Sequence, residues 1–296
     1  MAQSRFRSDQ GLNFRMGVVS LGLGALYVAF GAVLIFYTNA LAGAFIILAM
    51  AWGQWYFSDR LALASMGAKQ VTPEQAPELH AMIDRLCAQA QMPKPKVAVA
   101  QTDIPNAFAT GRSPNASAVC VTTGIMQRLT ADELEGVLAH ELAHVAHRDV
   151  TVMTVASSLG LLAGFMTRWG MFLGGSRRNN NNGGLSFLAV FLISMVVYFI
   201  SFILTRSLSR YRELSADRSG AYLTGHPEHL ASALTKISTG MKDVPERELR
   251  EVDSMNAFFI APAMASVSFE SLFSTHPPLE KRLAQLAEIA ADLGNQ

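Results

Sequence analysis

His140-Glu141-Leu142-Ala143-His144 sets two imidazoles four residues apart, with a carboxylate beside the first. On an α-helix such residues stack one turn apart on a single face. Two ring nitrogens placed this way suit one metal ion, and Glu141 lies where it can reach a water held in an open coordination position. That arrangement activates water for peptide hydrolysis near neutral pH when the ion is zinc. The chain contains only seven histidines, so composition alone rarely produces the pattern.

The motif needs a helix beneath it, and the flanking residues supply one. Thr130-Ala131-Asp132-Glu133 reads as a capping box, with Thr130 as N-cap and Glu133 at the third helical position. Leu134, Val137, Leu138, Leu142 and Val145 follow at helical spacing and give the helix a face to bury. Zinc also needs a third protein ligand. Glu213 is the best candidate, in Arg210-Tyr211-Arg212-Glu213-Leu214-Ser215-Ala216-Asp217. Asp217 follows one turn later, so Glu213 can ligate while Asp217 accepts a hydrogen bond from a ligand histidine. Spacing equally allows an exposed charged helix, with both carboxylates paired to Arg210 or Arg218.

H-E-L-A-H followed, after a hydrophobic interval, by E-L-S-A-D resembles the membrane zinc endopeptidases of the HtpX and Ste24 type, a gluzincin-like family. Asn106-Ala107-Phe108-Ala109-Thr110-Gly111 is similar to a strand of that family, and Ser274-Thr275-His276-Pro277-Pro278 to its segment before a last helix. The order of these features holds over nearly the whole chain, and the likeness is to the HtpX-like side of the family. The resemblance implies one zinc ion per chain, with Glu213 as third ligand. It implies that His276 lies near the site, where it is a candidate donor to the oxyanion, with Tyr211 and Arg210 as competitors. It also implies that the strand carrying Asn106, Ala107, Phe108 and Ala109 lies beside the zinc helix, where an open edge would bind substrate in extended form. The implied substrates are misfolded or damaged membrane proteins, cut on the cytoplasmic side as part of a stress response. Two alternatives stand beside this: prenyl-peptide processing of the Ste24 type, and a non-catalytic membrane scaffold or chaperone stabilised by zinc.

The 296 residues are half hydrophobic, and the apolar residues come in blocks. Residues 16–37 are nearly free of charge and long enough to span a bilayer, and 41–57 follow after a short polar break. Residues 185–204 form another strong candidate span. Residues 150–173 are weaker, with several threonines and serines and Arg168, so two core helices over the active site are the soluble alternative. Arg5, Arg7 and Arg15 flank the first span against the single acid Asp9, which places the N-terminus in the cytoplasm. The first span reads as an anchor and not a cleaved signal. The metal ligands must share one side of the membrane, so the stretch between His144 and Glu213 crosses twice or not at all; two crossings are expected. The connector would include Asn179 to Asn182 and Gly183-Gly184 as a low-complexity loop.

The expected fold class is a mainly α membrane protein of the bacterial inner membrane: four candidate transmembrane helices plus a cytoplasmic, mostly helical, zincin-like catalytic domain with a small β-sheet. Its divisions are 1–57 (N-terminal arm and hairpin), 58–149 (first part of the catalytic domain), 150–205 (second hairpin) and 206–296 (second part). A helix should start at Thr72-Pro73-Glu74-Gln75 and bury Leu79, Met82, Ile83 and Leu86. Strands are expected at 97–100, 107–110 and 118–122. The helix carrying Glu213 should run to about Gly225, and a last one should begin at Pro278, with Leu279, Leu283, Leu286 and Ile289 on one face. Cys87 and Cys120 lack metal-ligand spacing and read as core residues; His147 reads as a helix-end residue. Net charge near zero gives no sign of a nucleic-acid partner, and the sequence does not give the oligomeric state.

Overall fold

The computed structural model describes residues 9–37, 55–174, 183–241 and 276–294, together with 45, 49, 52 and 53. Most of the expected second span and the Asn179–Asn182 connector lie outside the described residues, as do Ser274 and Thr275.

The first helix, α1 (Gln10–Tyr37), holds the first apolar block; α2 (Ser58–Ser65) leads into the catalytic region. Next come β1 (Lys69–Gln70), α3 (Pro77–Ala90), β2 (Lys96–Ala100), β3 (Ala107–Ser113), β4 (Ala116–Thr122) and α4 (Thr123–Arg128). The motif helix is α5 (Ala131–Ala146). It is followed by α6 (Asp149–Gly174), α7 (Gly183–Thr224), α8 (Pro227–Met241) and α9 (Leu279–Gly294).

The sheet has the order β1-β2-β4-β3, with β2 and β4 parallel and the other pairs antiparallel, so β3 is an edge strand. Alternation along the strands divides their side chains between two faces. Val97, Val99, Val119 and Val121 join the main core with Leu138 and Leu142 of α5. Ala98, Ala100, Phe108, Ala118 and Cys120 face α2, packing on Ala62 and Leu63. Both faces are covered, which is why the strands read as continuous apolar runs.

Three expectations need correction. The helix expected at Thr72-Pro73 begins at Pro77, which takes the first-turn position. Thr72 to Gln75 forms a separate turn, in which the Thr72 N–H donates to the Gln75 side chain. Its apolar face is as expected. Gly183 and Gly184 belong to α7 and not to a loop. And the fourth apolar block and the Glu213 segment are one helix of 42 residues, so position 205 is no structural break.

The α6 and α7 helices run antiparallel. Asp149 meets Arg212 and Thr205 donates to the Ala156 carbonyl; a Cβ on Gly160 or Gly164 would touch Ser201 or Tyr198, respectively. Gly160 and Gly164 form a G-x-x-x-G pair, a small-residue spacing that lets helix backbones approach. The α1 helix packs on both, through Leu23 with Ala156 and Leu208, and through Phe30 with Ala163 and Val197. It therefore runs parallel to α6, with its N-terminal end toward the motif helix. Residues 10–32 of α1 and 191–224 of α7 are long and apolar enough to cross a membrane, and 149–164 of α6 form a shorter apolar helix. Their outer faces are apolar and exposed, at Leu21, Val28, Val155, Leu161, Phe199 and Ile203.

Candidate active site

The capping box at the start of α5 is present in both halves: Thr130 accepts from the Glu133 N–H, and the Glu133 side chain accepts from the Thr130 N–H. Glu133 also receives Ser232 and Lys236 of α8, which fixes the helix entry against the core. With Leu134, Val137, Leu138, Leu142 and Val145 all buried, α5 presents His140, Glu141 and His144 from a rigid base.

Opposite α5 lies α7, and the crossing is close. A Cβ on Gly220 would sit 2.8 Å from the backbone nitrogen of His140. Glu213, Asp217 and Gly220 lie on one helical stripe, so the glycine lets both carboxylates approach the histidines. Glu213 Oε1 is 3.4 Å from His144 Nε2, and Glu213 Oε2 is 3.7 Å from His140 Nε2. The two Nε2 atoms are 3.1 Å apart.

Each histidine has a carboxylate behind it. His140 Nδ1 lies 2.9 Å from Asp217 Oδ1, and His144 Nδ1 lies 2.6 Å from Asp149 Oδ2. A carboxylate there holds the ring proton on Nδ1 and leaves Nε2 as a lone-pair donor. Two imidazole nitrogens and a carboxylate thus converge in a largely buried space, an arrangement that needs a shared proton or a metal cation between them. A tetrahedral ion with bonds of about 2.0–2.1 Å sets its ligand atoms roughly 3.3–3.4 Å apart. The two imidazole nitrogens lie near that edge length, each has a different Glu213 oxygen close to it, and one donor atom from each residue lies within 4.8 Å of the others, a set that fits zinc.

Glu141 is buried and takes no part in this triangle. Its Oε2 accepts the Ala109 N–H of β3 at 2.7 Å. Burial pushes its carboxyl up to about 7; His144 opposes the rise and Glu213 adds to it. A carboxyl poised near neutrality is suited to receive and return a proton. His276 arrives just before α9, with Nδ1 3.0 Å from Glu213 Oε2.

Of the strand residues, Ala109 is bonded directly to Glu141. Asn106 is fully buried; its carbonyl accepts the Thr122 N–H of β4, and its N–H donates to the Thr122 side-chain hydroxyl. By alternation, Phe108 and Thr110 also pair with β4, and the backbone groups of Ala107 and Ala109 face the outer edge. The Phe108 ring packs toward α2, on the sheet face away from α5.

Glu213 and Asp217 are buried, so the alternative of an exposed charged helix is not what forms. Arg282 of α9 clamps Asp217 instead, through Nε at 2.7 Å and Nη2 at 2.6 Å. Sequence reading missed Arg282, Asp149 and Arg212. For Arg282 a signal existed: with Leu279, Leu286 and Ile289 it forms a stripe at i, i+3 and i+4 steps, and it is buried while Leu283 is only half-buried. An arginine in an apolar stripe needs a buried anion. Asp149 and Arg212 carry no local signal. His147 closes α5 as expected; burial, then Arg212, draws its imidazole down to about 4. The two cysteines are free, buried and in separate clusters.

Comparison with known proteins agrees with this geometry. The model for "Peptidase family M48" matches residues 73–290. The chain belongs to peptidase family M48. It is 51% identical over 297 residues to Protease HtpX homolog 1 of Streptomyces coelicolor, covering 99% of this chain and 97% of the relative. Identity is 50% to the Protease HtpX homolog of Moorella thermoacetica, with 97% of each chain covered. It is 46% to Protease HtpX homolog 2 of Methanosarcina acetivorans, with 98% and 99% covered. Among solved structures, S. mikatae Ste24p superposes with a TM-score of 0.51 at 16% identity, over 94% of this chain and 66% of that one, a likeness of fold. As a member of M48 the protein is a membrane metallopeptidase, a hydrolase of a zinc-dependent family.

Proposed function

We propose that His140, His144 and Glu213 hold one zinc ion and that Glu141 is the general base of an endopeptidase working at the cytoplasmic surface of the bacterial inner membrane. The observation that carries this reading is the convergence of three lone-pair donors within 4.8 Å of one another, with each imidazole oriented by its own carboxylate. Bound there, zinc would supply Lewis acidity, lowering the pKa of water to about 7 and polarising the scissile carbonyl. Glu141 takes the proton from the attacking water and returns it to the leaving nitrogen. Asp217 and Asp149 keep the two histidines in the tautomer that leaves Nε2 free to ligate. His276, held against Glu213, is the proposed donor to the negative charge of the tetrahedral transition state.

The substrate lies along β3 as an added strand. Ala107 is fully buried, so the open part of the edge begins at half-buried Ala109, whose carbonyl offers backbone pairing independent of side-chain code while its N–H touches Glu141. Such recognition suits a quality-control enzyme acting on misfolded membrane proteins.

The reading includes two crossings by α6 and α7. Asp149 and Arg212 meet at the site end of the pair, so the crossings return the third ligand to the side it must share. The 26 residues of α6 extend about 39 Å, enough for a hydrocarbon core of about 30 Å. Exposed apolar side chains on the outer faces of α6 and α7 favour lipid over the soluble alternative. Trp52 and Tyr56 stack, and Trp55 donates to Thr151 in the first turns of α6. Aromatics at that level match a membrane interface, which supports a site at the bilayer surface, within reach of membrane-embedded substrates.

The test is metal analysis of the purified protein coupled to cleavage of an unfolded membrane protein, with and without a chelator. Zinc near one per chain and chelator-sensitive cleavage are expected. Glu141→Gln should retain the zinc and lose activity by a factor on the order of 10²–10⁴. Near-normal turnover in that variant would exclude Glu141 as the base.

A further inference from the structure

Two matching relays flank the proposed ligands. On one side Arg282 of α9 holds Asp217, which backs His140. On the other, Arg212 of α7 holds Asp149, the first residue of α6, which backs His144. We propose that Arg212 is a positioning residue for the metal site, acting through Asp149 on His144, and that it thereby makes assembly of the site depend on docking of the α6–α7 pair. The inference rests on the reading that His144 is a zinc ligand.

Arg212 joins three helices. Its Nη2 donates to the Asp149 carboxylate and also to the carbonyl of His147, at 2.8 Å, where α5 ends. The chain between α5 and α6 is a tight turn, with Arg148 at a φ of 56°. That turn brings Asp149 back beneath His144, and the guanidinium fixes it there. Both side chains are shielded, at 13% exposure for Arg212 and 9% for Asp149. The two Asp149 oxygens are divided, Oδ2 to His144 and Oδ1 to Arg212. Without the guanidinium, a buried carboxylate loses half its partners and its fixed rotamer. The imidazole it orients then loses its aim.

Arg212 and Glu213 are neighbours on one turn of α7, so the same helix approaches the metal from two directions. Glu213 would ligate directly, while Arg212 would set the angle of His144 from behind. Because Asp149 opens α6 and Arg212 lies on α7, moving α6 away from α7 would break the relay while the three ligands stay in place on α5 and α7.

The experiment uses the full chain in detergent. Zinc affinity is measured by competition with a chromophoric chelator, and ligand geometry by the visible spectrum of the cobalt-loaded protein. Arg212→Gln should weaken zinc ~10-fold or more, within the ~10–100-fold range for residues that orient ligands, and should shift the cobalt bands. Arg212→Lys, which keeps the charge but lacks the planar guanidinium that fixes the Asp149 carboxylate, should recover part of both. In an Asp149→Ala background, Arg212→Gln should cost nothing further. An equal loss in that background, or unchanged affinity and cobalt spectrum in the single variant, would overturn the relay. Thermal unfolding in excess chelator checks that each variant folds. His144→Ala separates the two levels of the argument: it should abolish tight zinc binding, and parental affinity in that variant would refute the ligand set and the relay with it.

Discussion

The crossing of α7 over α5 at Gly220 should be the most sensitive point in the site that touches neither metal nor substrate. Adding one methyl there, in Gly220→Ala, sets a Cβ 2.8 Å from the His140 nitrogen and 3.1 Å from the Ala139 carbonyl carbon and the His140 Cα. All three are backbone atoms of a buried helix, so no flexible side chain can yield. Ordinary contact begins near 3.4 Å, so the helices must part by about 0.6 Å at this point. Overpacking of this kind costs ~1–3 kcal/mol, against which alanine regains up to ~1 kcal/mol of helix propensity. Glu213 and Asp217 share the displaced stripe. Metal bonds tolerate only about 0.2 Å, so the shift should weaken zinc binding well before it unfolds the chain. The assay is chelator competition for zinc alongside thermal unfolding of the metal-free protein. Gly160→Ala is the control, because its Cβ meets Ser201 Oγ at an ordinary 3.4 Å. A Gly220→Ala variant that binds zinc as tightly as the parent and melts no lower would refute the argument that this close approach assembles the site.

Glu213→Ala should reduce zinc affinity more than Asp217→Ala, for which a loss of ~10–100-fold is expected; zinc retained in the first and lost in the second, read by metal content, would reverse their roles. Proline at Ala107 removes an outward-facing donor without touching Glu141, but at a fully buried position of the core, so the Michaelis constant should rise with zinc content near parental while the melting temperature falls. Proline at Ala109 also removes the N–H that Glu141 accepts, so kcat should fall as well; two proline variants that cleave like the parent would deny β3 its role as the substrate platform. Cysteine labels near Gln10, Ser113 and Gln296 should react only from the cytoplasmic face, and periplasmic labelling at Ser113 would defeat the topology whatever the protease assay shows.

Local order sufficed for much of this molecule. The spacing in His140-Glu141-Leu142-Ala143-His144, the Thr130 and Glu133 cap, the apolar face of α5 and three of the four strands are all properties of one element and its ends, and their periodicity is written along the chain. Family resemblance added Glu213 and His276 to the same neighbourhood, and the structure brings both there. The start of α3 was misplaced because Thr72-Pro73 offers the same turn chemistry as a helix start, and the choice falls to Pro77 four residues on.

What tertiary structure alone decided is which charges meet. Glu213 and Asp217 could have been an exposed pair serving Arg210 or Arg218, since both lie within reach along a helix. The crossing at Gly220 turns them inward instead, and Arg282 comes from α9 to neutralise Asp217 across a separation of 65 residues. Asp149 and Arg212 meet across 63. No periodicity links residues so far apart. Their pairing depends on where helix axes cross and how closely backbones approach, and buried charge makes the result definite, because an unpaired carboxylate or guanidinium in the core costs more than any local preference can offset.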